Sequence, residues 1–124
     1  MSLTRETILY NQENIKKIHI IPSVSNDLTS VTFQIIKEDH TLANALRYIV
    51  MKNPDVEFCG YSIPHPSEPT LNFRIQTFRN ISAVDVFIKG LDDLVALCDH
   101  VADTFQKKLN MNKYENCHKM FIEM

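Results

Sequence analysis

Glycine occurs only twice in these 124 residues, at Gly60 and Gly90, and tryptophan not at all. Two isolated glycines exclude a phosphate-cradling loop, which needs several in one short turn. Cysteine is sparse too. Cys59, Cys98 and Cys117 are odd in number, far apart and without a Cys-x-x-Cys pair, so neither a disulfide framework nor a metal site is signalled, and a reducing compartment fits. No stretch approaches the roughly 18 consecutive apolar residues of a membrane span, and no basic segment leads into an apolar run at the N-terminus. The expectation is an intracellular, soluble chain with no membrane contact. Positive charge is not in excess either: 13 Lys and Arg against 15 Asp and Glu leave a formal net charge of −2. A protein that binds nucleic acid by itself normally carries a basic face, so direct sequence-specific binding is not expected.

What is present describes one small domain. Apolar residues make up 44% and charged ones 23% of the chain, the balance of an ordinary globular protein. Residues 1–14 are polar and lack a clear period, which suggests a flexible tail, and residues 111–124 form a second tail of mixed character. Between them lies a domain over residues 15–110. Ile15 to Ile21 and Ser30 to Lys37 alternate in polarity as strands do, the second placing Val31, Phe33 and Ile35 on one face. Glu38 and Asp39 then set negative charge at a helix start, with Asp39 or Thr41 as its cap. Leu42, Ala45, Leu46, Ile49 and Val50 give that helix one apolar face until Pro54 stops it. Val56 to Ile63 reads as a strand closed by Pro64-His65-Pro66, and Leu71, Phe73 and Ile75 mark a fourth strand. Asn80-Ile81-Ser82 fits the glycosylation triplet, but with no route to secretion it reads as a turn.

Ser82 then caps a long helix. Val84, Leu91, Cys98 and Phe105 fall seven apart, Phe87, Leu94 and Val101 follow three later, and Ile88, Val95, Ala102 and Leu109 fill the next position. This is an apolar face of three positions in seven over almost four heptads. Gly90 interrupts the composition but not the phase, so one continuous helix is expected. From Ala83 to Leu109 it measures roughly 40 Å, whereas strands of seven residues reach only about 23 Å. The stretch from about Leu94 to Leu109 must therefore meet something other than the sheet, either the chain's own tail or another subunit. The acidic positions Asp85, Asp92, Asp93, Asp99 and Asp103 read as the solvated side.

The run Glu-Asp-His-Thr-Leu-Ala-Asn-Ala-Leu-Arg from Glu38, with Asn-Pro-Asp-Val-Glu-Phe-Cys-Gly-Tyr-Ser-Ile-Pro-His-Pro-Ser-Glu from Asn53 and Arg74-Ile75-Gln76-Thr77, resembles the alpha-like small subunits of nuclear and archaeal RNA polymerases. Arg47 to Met51, Cys59 before Gly60-Tyr61, and Ser62-Ile63 are most similar to the branch shared by RNA polymerases I and III; the RNA polymerase II branch usually has Ala before the Gly-Tyr pair. The likeness spans roughly Ile15 to Phe105. One departure is Ala43, where the family usually has Gly, which adds a methyl where another backbone or subunit approaches closely.

The resemblance implies an α+β fold, a four-stranded antiparallel sheet with two helices on one face, the second long and C-terminal. It implies a non-catalytic assembly subunit without cofactor or metal, in the nucleus including the nucleolus. Its partners would be the larger alpha-like subunit, in a heterodimer, and the large catalytic subunits of RNA polymerases I and III, which make ribosomal RNA precursors, 5S rRNA and tRNA. Leu42, Leu46, Arg47, Ile49, Val50, Phe87, Leu91, Leu94, Cys98, Val101 and Phe105 would form the partner interface, so that Leu46→Arg or Phe105→Glu weakens pairing. The family motif carried over is His40, Thr41, Asn44, Gly60, Tyr61, Pro64, His65 and Pro66. An equivalent subunit of RNA polymerase II or of an archaeal polymerase is the neighbouring alternative. A small self-associating enzyme using His40 or His65 is the alternative of another class, although no Ser-His-Asp or metal constellation can be assembled from the spacing.

Overall fold

The computed structural model describes residues 16–22 and 27–111. The expected tails, 1–14 and 111–124, lie outside the described residues except for Met111. The element order is β1 (Ile18–Ile21), β2 (Ser30–Ile36), α1 (His40–Met51), β3 (Val56–Ser62), β4 (Thr70–Thr77) and α2 (Ala83–Asn110). The strands make one antiparallel sheet in the order β1-β2-β4-β3. Its buried side follows from the alternation: Val31, Phe33 and Ile35 of β2 stand opposite Ile75, Phe73 and Leu71 of β4. A bulge between Val56 and Phe58 shifts β3 so that Cys59 and Tyr61 pair with Ile75 and Phe73 on that same side. Both helices cover it, α1 on β3 and α2 across β4 and β2.

Asp39 is the cap of α1, its carboxylate accepting the Thr41 backbone N–H at 2.9 Å. That bond holds the Asp39 carboxyl below its ordinary range. The approach to the cap is strained. Lys37 has φ 59, in the left-handed region, and its N–H donates to the Pro69 carbonyl at 2.5 Å. Ser82 occupies the first cap of α2, as expected, but its hydroxyl makes no capping bond. The start of α2 is held instead from the turn before β2 and from β4: the Ala83 N–H donates to Leu28 O at 2.9 Å, and the buried Thr77 hydroxyl donates to Ile81 O at 2.5 Å.

Phe87 fixes α2 to the sheet. Its ring stacks on Phe33 at 4.1 Å between centroids, with 13° between planes, and meets Phe73 at 5.9 Å. One turn later α2 crosses α1 at Gly90, which is buried; a Cβ there would come within 2.6 Å of Val50 Cγ2. The glycine is therefore no break in the helix but the place where two helices approach too closely for a side chain. The core-facing row of α2 is Ala83, Val86, Phe87 and Gly90. This row is rotated from the heptad positions, which included Ile88 and omitted Val86; Ile88 is exposed.

Three residues assigned to the partner interface belong to the chain's own core: Leu46, Val50 and Phe87 are 0%, 1% and 3% exposed. They are spent between the helices and the sheet and offer nothing to another chain. Ala43 is likewise fully buried within this core, so its methyl is accommodated inside the domain rather than against a subunit.

Two outcomes follow. Leu46→Arg places an unpaired charge in the core and abolishes soluble expression instead of selectively weakening association, and Leu46→Ala costs about 2–5 kcal/mol in urea unfolding. Gly90→Ala lowers the melting temperature although Ala is the better helix former by about 1 kcal/mol, because overpacking against Val50 costs about 1–3 kcal/mol. An Ala variant melting at or above the parent would show that the helices are not clamped at this point.

Candidate assembly interface

The 28 residues of α2 extend about 42 Å, against about 26 Å for the eight residues of β4. Beyond Leu94 every residue of the helix is exposed. The exposed half is not polar throughout. Cys98, Val101, Phe105 and Leu109 continue the apolar row, with Val101 59% and Phe105 65% exposed. Lys107 and Lys108 end the helix with the charge that suits its C-terminus. The Cys98 thiol lies within the row, open to solvent.

Beside this row is a groove between the helices, lined among others by Asn44, Tyr48, Ile49, Leu94 and Leu97. Tyr48 and Leu97 are exposed apolar side chains that the periodicity did not single out. The available signal was spacing: Leu97 lies three residues after Leu94 and four before Val101, a second helical row beside the first. Arg47 leans along α1, its Nη2 donating to Asn44 Oδ1 at 3.0 Å. Lys52 Nζ sits 4.8 Å from the Tyr48 ring centroid. Of the interface residues expected from sequence, Leu42, Arg47, Ile49, Leu91 and Leu94 are half-buried and Cys98, Val101 and Phe105 exposed.

Some of the motif residues meet at one end of the sheet, whereas Asn44 lines the interhelical groove and Gly60 lies within β3 opposite Arg74. His40 Nδ1 and the Tyr61 hydroxyl are 2.7 Å apart, joining the start of α1 to β3, with the rings edge-on. Around them Glu38, Asp39, Ile63, Pro66 and Glu68 line a shallow cleft, so two motif stretches distant in sequence share one surface. Pro64, His65 and Pro66 are exposed there. Lys17 pairs with Glu38 at 2.8 Å, tying the approach to β1 to the same end. Thr41 serves the cap, and Gly60 lies under the ring of Phe58, where a Cβ would meet Cζ at 2.9 Å. Below α1, burial pushes the Cys59 thiol up to about 12, against a smaller opposing effect of the Arg47 charge. His40 is thus engaged in a structural bond with Tyr61, and among the described residues no three His, Cys, Asp or Glu side chains converge as they would around a metal ion.

Residues 30–104 match the RNA polymerase Rpb3/Rpb11 dimerisation domain. The chain is 67% identical over 94 residues to the DNA-directed RNA polymerases I and III subunit RPAC2 of Schizosaccharomyces pombe, covering 76% of this chain and 75% of that one. To the subunit of the same name from Saccharomyces cerevisiae it is 59% identical over 99 residues, 80% of this chain and 68% of the other. The crystal structure of DNA-directed RNA polymerase subunit L from Thermoplasma acidophilum superposes with a TM-score of 0.64 over 79% of this chain and 95% of that one; at 19% identity the likeness is one of fold. A four-stranded sheet under two helices, a dimerisation domain matched over most of that fold, and close relatives from two yeasts place the chain in one family: it belongs to the small alpha-like subunits of RNA polymerases I and III, of the Rpb3/Rpb11 dimerisation type.

Proposed function

We propose that the chain is a non-catalytic assembly subunit of RNA polymerases I and III. It pairs with the larger alpha-like subunit, and the pair forms the platform that mounts the two large catalytic subunits for synthesis of ribosomal RNA precursors, 5S rRNA and tRNA, in the nucleus and its nucleolus. The observation that carries this reading is the apolar row of α2 that outruns its own sheet, from Leu94 through Cys98 and Val101 to Phe105 and Leu109. A row of that kind left in water is a liability unless another chain covers it.

The mechanism is burial. Each large apolar side chain taken fully out of water contributes about 1.5–3 kcal/mol, and a stable pair buries about 800 Å² or more on each side. Phe105, Val101 and Leu97, with the Tyr48 ring at the groove, supply the apolar centre, and Leu42, Arg47, Ile49 and Leu91 stand at its margin. Arg47 offers a planar fork suited to a carboxylate of the partner. The end of the sheet where His40 meets Tyr61 and the exposed Pro64–Pro66 turn begins is the surface this reading turns toward a large subunit, with Thr41 in the adjoining cap, Asn44 beside the interhelical groove and Gly60 under Phe58 in β3.

Phe105→Glu is the direct test, because Phe105 is exposed and its loss leaves the core intact. By size exclusion with light scattering, the parent chain co-expressed with the larger alpha-like subunit elutes as a 1:1 heterodimer, while the variant dissociates, since a buried unpaired carboxylate costs several kcal/mol, about 3–5. Stoichiometric recovery of the variant pair would sink this interface. Thiol labelling is an independent check in a Cys117→Ser background: Cys98 reacts in the free chain and is protected in the pair, while Cys59, buried and with its thiol pushed up to about 12, stays inert in both.

A further inference from the structure

The overhang of α2 is apolar along one side and charged at the margins of that side. Cys98, Val101, Phe105 and Leu109 form the row, Asp99 and Asp103 flank it, and Lys107 and Lys108 stand at the end of the helix. Residues 112–124 follow directly, as Asn-Lys-Tyr-Glu-Asn-Cys-His-Lys-Met-Phe-Ile-Glu-Met. Their polarity alternates with a period of two. Tyr114, Met120, Ile122 and Met124 fall on one parity, and Lys113, Glu115, Lys119 and Glu123 on the other, with Phe121 as the exception. Alternation of this kind marks an extended segment with one apolar side, not a continuation of α2.

The lengths match as well. An extended chain advances about 3.3 Å per residue and a helix 1.5 Å, so each residue returning along α2 passes about two helix residues. With residues 112–114 taken up by the reversal, residues 115–124 reach about 33 Å, and the overhang from Leu94 to Met111 is about 26 Å. On this count Glu115 comes level with Lys107 and Lys108, and Lys119 with Asp99 and Asp103. Met120 and Ile122 come level with Cys98 and Leu94. The charges of the segment thus run in the order that complements the helix read backwards.

We infer that in the unpaired chain residues 115–124 lie back along α2 as a self-cover, and that the larger alpha-like subunit displaces them on pairing. Met120, Ile122 and Met124 take the apolar row and the groove at Leu94 and Leu97. The tether to Met111 holds the segment beside its site at an effective concentration on the order of millimolar, so a few apolar contacts suffice. The same shortness makes the cover yield: it hides a handful of side chains, where a stable pair buries about 800 Å² on each side. Until then it keeps Val101 and Phe105 from sticking to a second copy. The displacement rests on the assembly role proposed above; the cover in the free chain does not.

The test starts with the full chain alone carrying Cys117→Ser, in which Cys98 is the reactive thiol and Cys59 the inert one. Maleimide labelling of Cys98 is timed in this chain, in the same chain ended at Met111, and in the same chain with Met120→Ser and Ile122→Ser together. Cys98 labels in all three, about fivefold or more faster in the second and third than in the first, while Cys59 stays unlabelled throughout. Equal Cys98 rates with and without residues 112–124 overturn the inference. In the chain with both thiols, a bismaleimide joins Cys98 to Cys117 within one molecule at dilute concentration, read by mass spectrometry of the joined peptides. Joining between molecules assigns the row to a second copy and overturns the inference. Adding the larger alpha-like subunit lowers the yield of the intramolecular link about tenfold or more. A link that persists in the 1:1 pair overturns the displacement. A chain that forms the link but does not pair strikes the assembly role and leaves the cover standing.

Discussion

Everything in this domain depends on one helix being longer than the sheet that carries it. Phe87, stacked on Phe33 and leaning on Phe73, fixes where α2 lies, and Gly90, pressed on Val50, fixes how near it comes to α1. With both points set in the first third of the helix, the remainder must project. A helix end without packing is stabilised only by its local turns and its charges, and α2 carries apolar residues there instead of a fully polar surface. The overhang is a consequence of length and anchoring, and the need for a second chain is a consequence of the overhang.

The two grooves and the two faces of the domain then have different characters for physical reasons. On the helix side the exposed groups are Val, Leu, Phe and Tyr, whose association gains by excluding water and tolerates small changes in register. At the motif end and on the open sheet, the groups are His, Asn, Arg and Ser, whose hydrogen bonds demand defined positions. The division is one of chemistry, between an apolar side and a polar one. The bulge in β3 contributes to it, since it turns Cys59 and Tyr61 inward and leaves Phe58, Gly60 and Ser62 outward.

Much of the fold was legible in the residues. Strand alternation located the buried sides of β2 and β4, Asp39 and Pro54 bracketed α1, and the unbroken heptad phase carried α2 through Gly90. The candidate interface was legible only in part. Periodicity on α1 and α2 marks which residues are apolar together, but it treats a residue facing its own sheet and one facing a partner alike. Leu46, Val50 and Phe87 were grouped with Val101 and Phe105 for that reason, although the first three are buried in the isolated domain and the last two are open. Tyr48 and Leu97 escaped because each lies beside, and not on, the apolar row that the periodicity marks.

The amino-acid sequence by itself determined the elements, their order, the family and the excess length of the last helix, because capping, alternation and helical phase act between residues close in the chain. Only the tertiary structure decided the sheet order, the crossing at Gly90 and the meeting of His40 with Tyr61. These join residues far apart in sequence. They depend on strand pairing and interhelical distance, which are set by packing the whole core at once and by no local pattern.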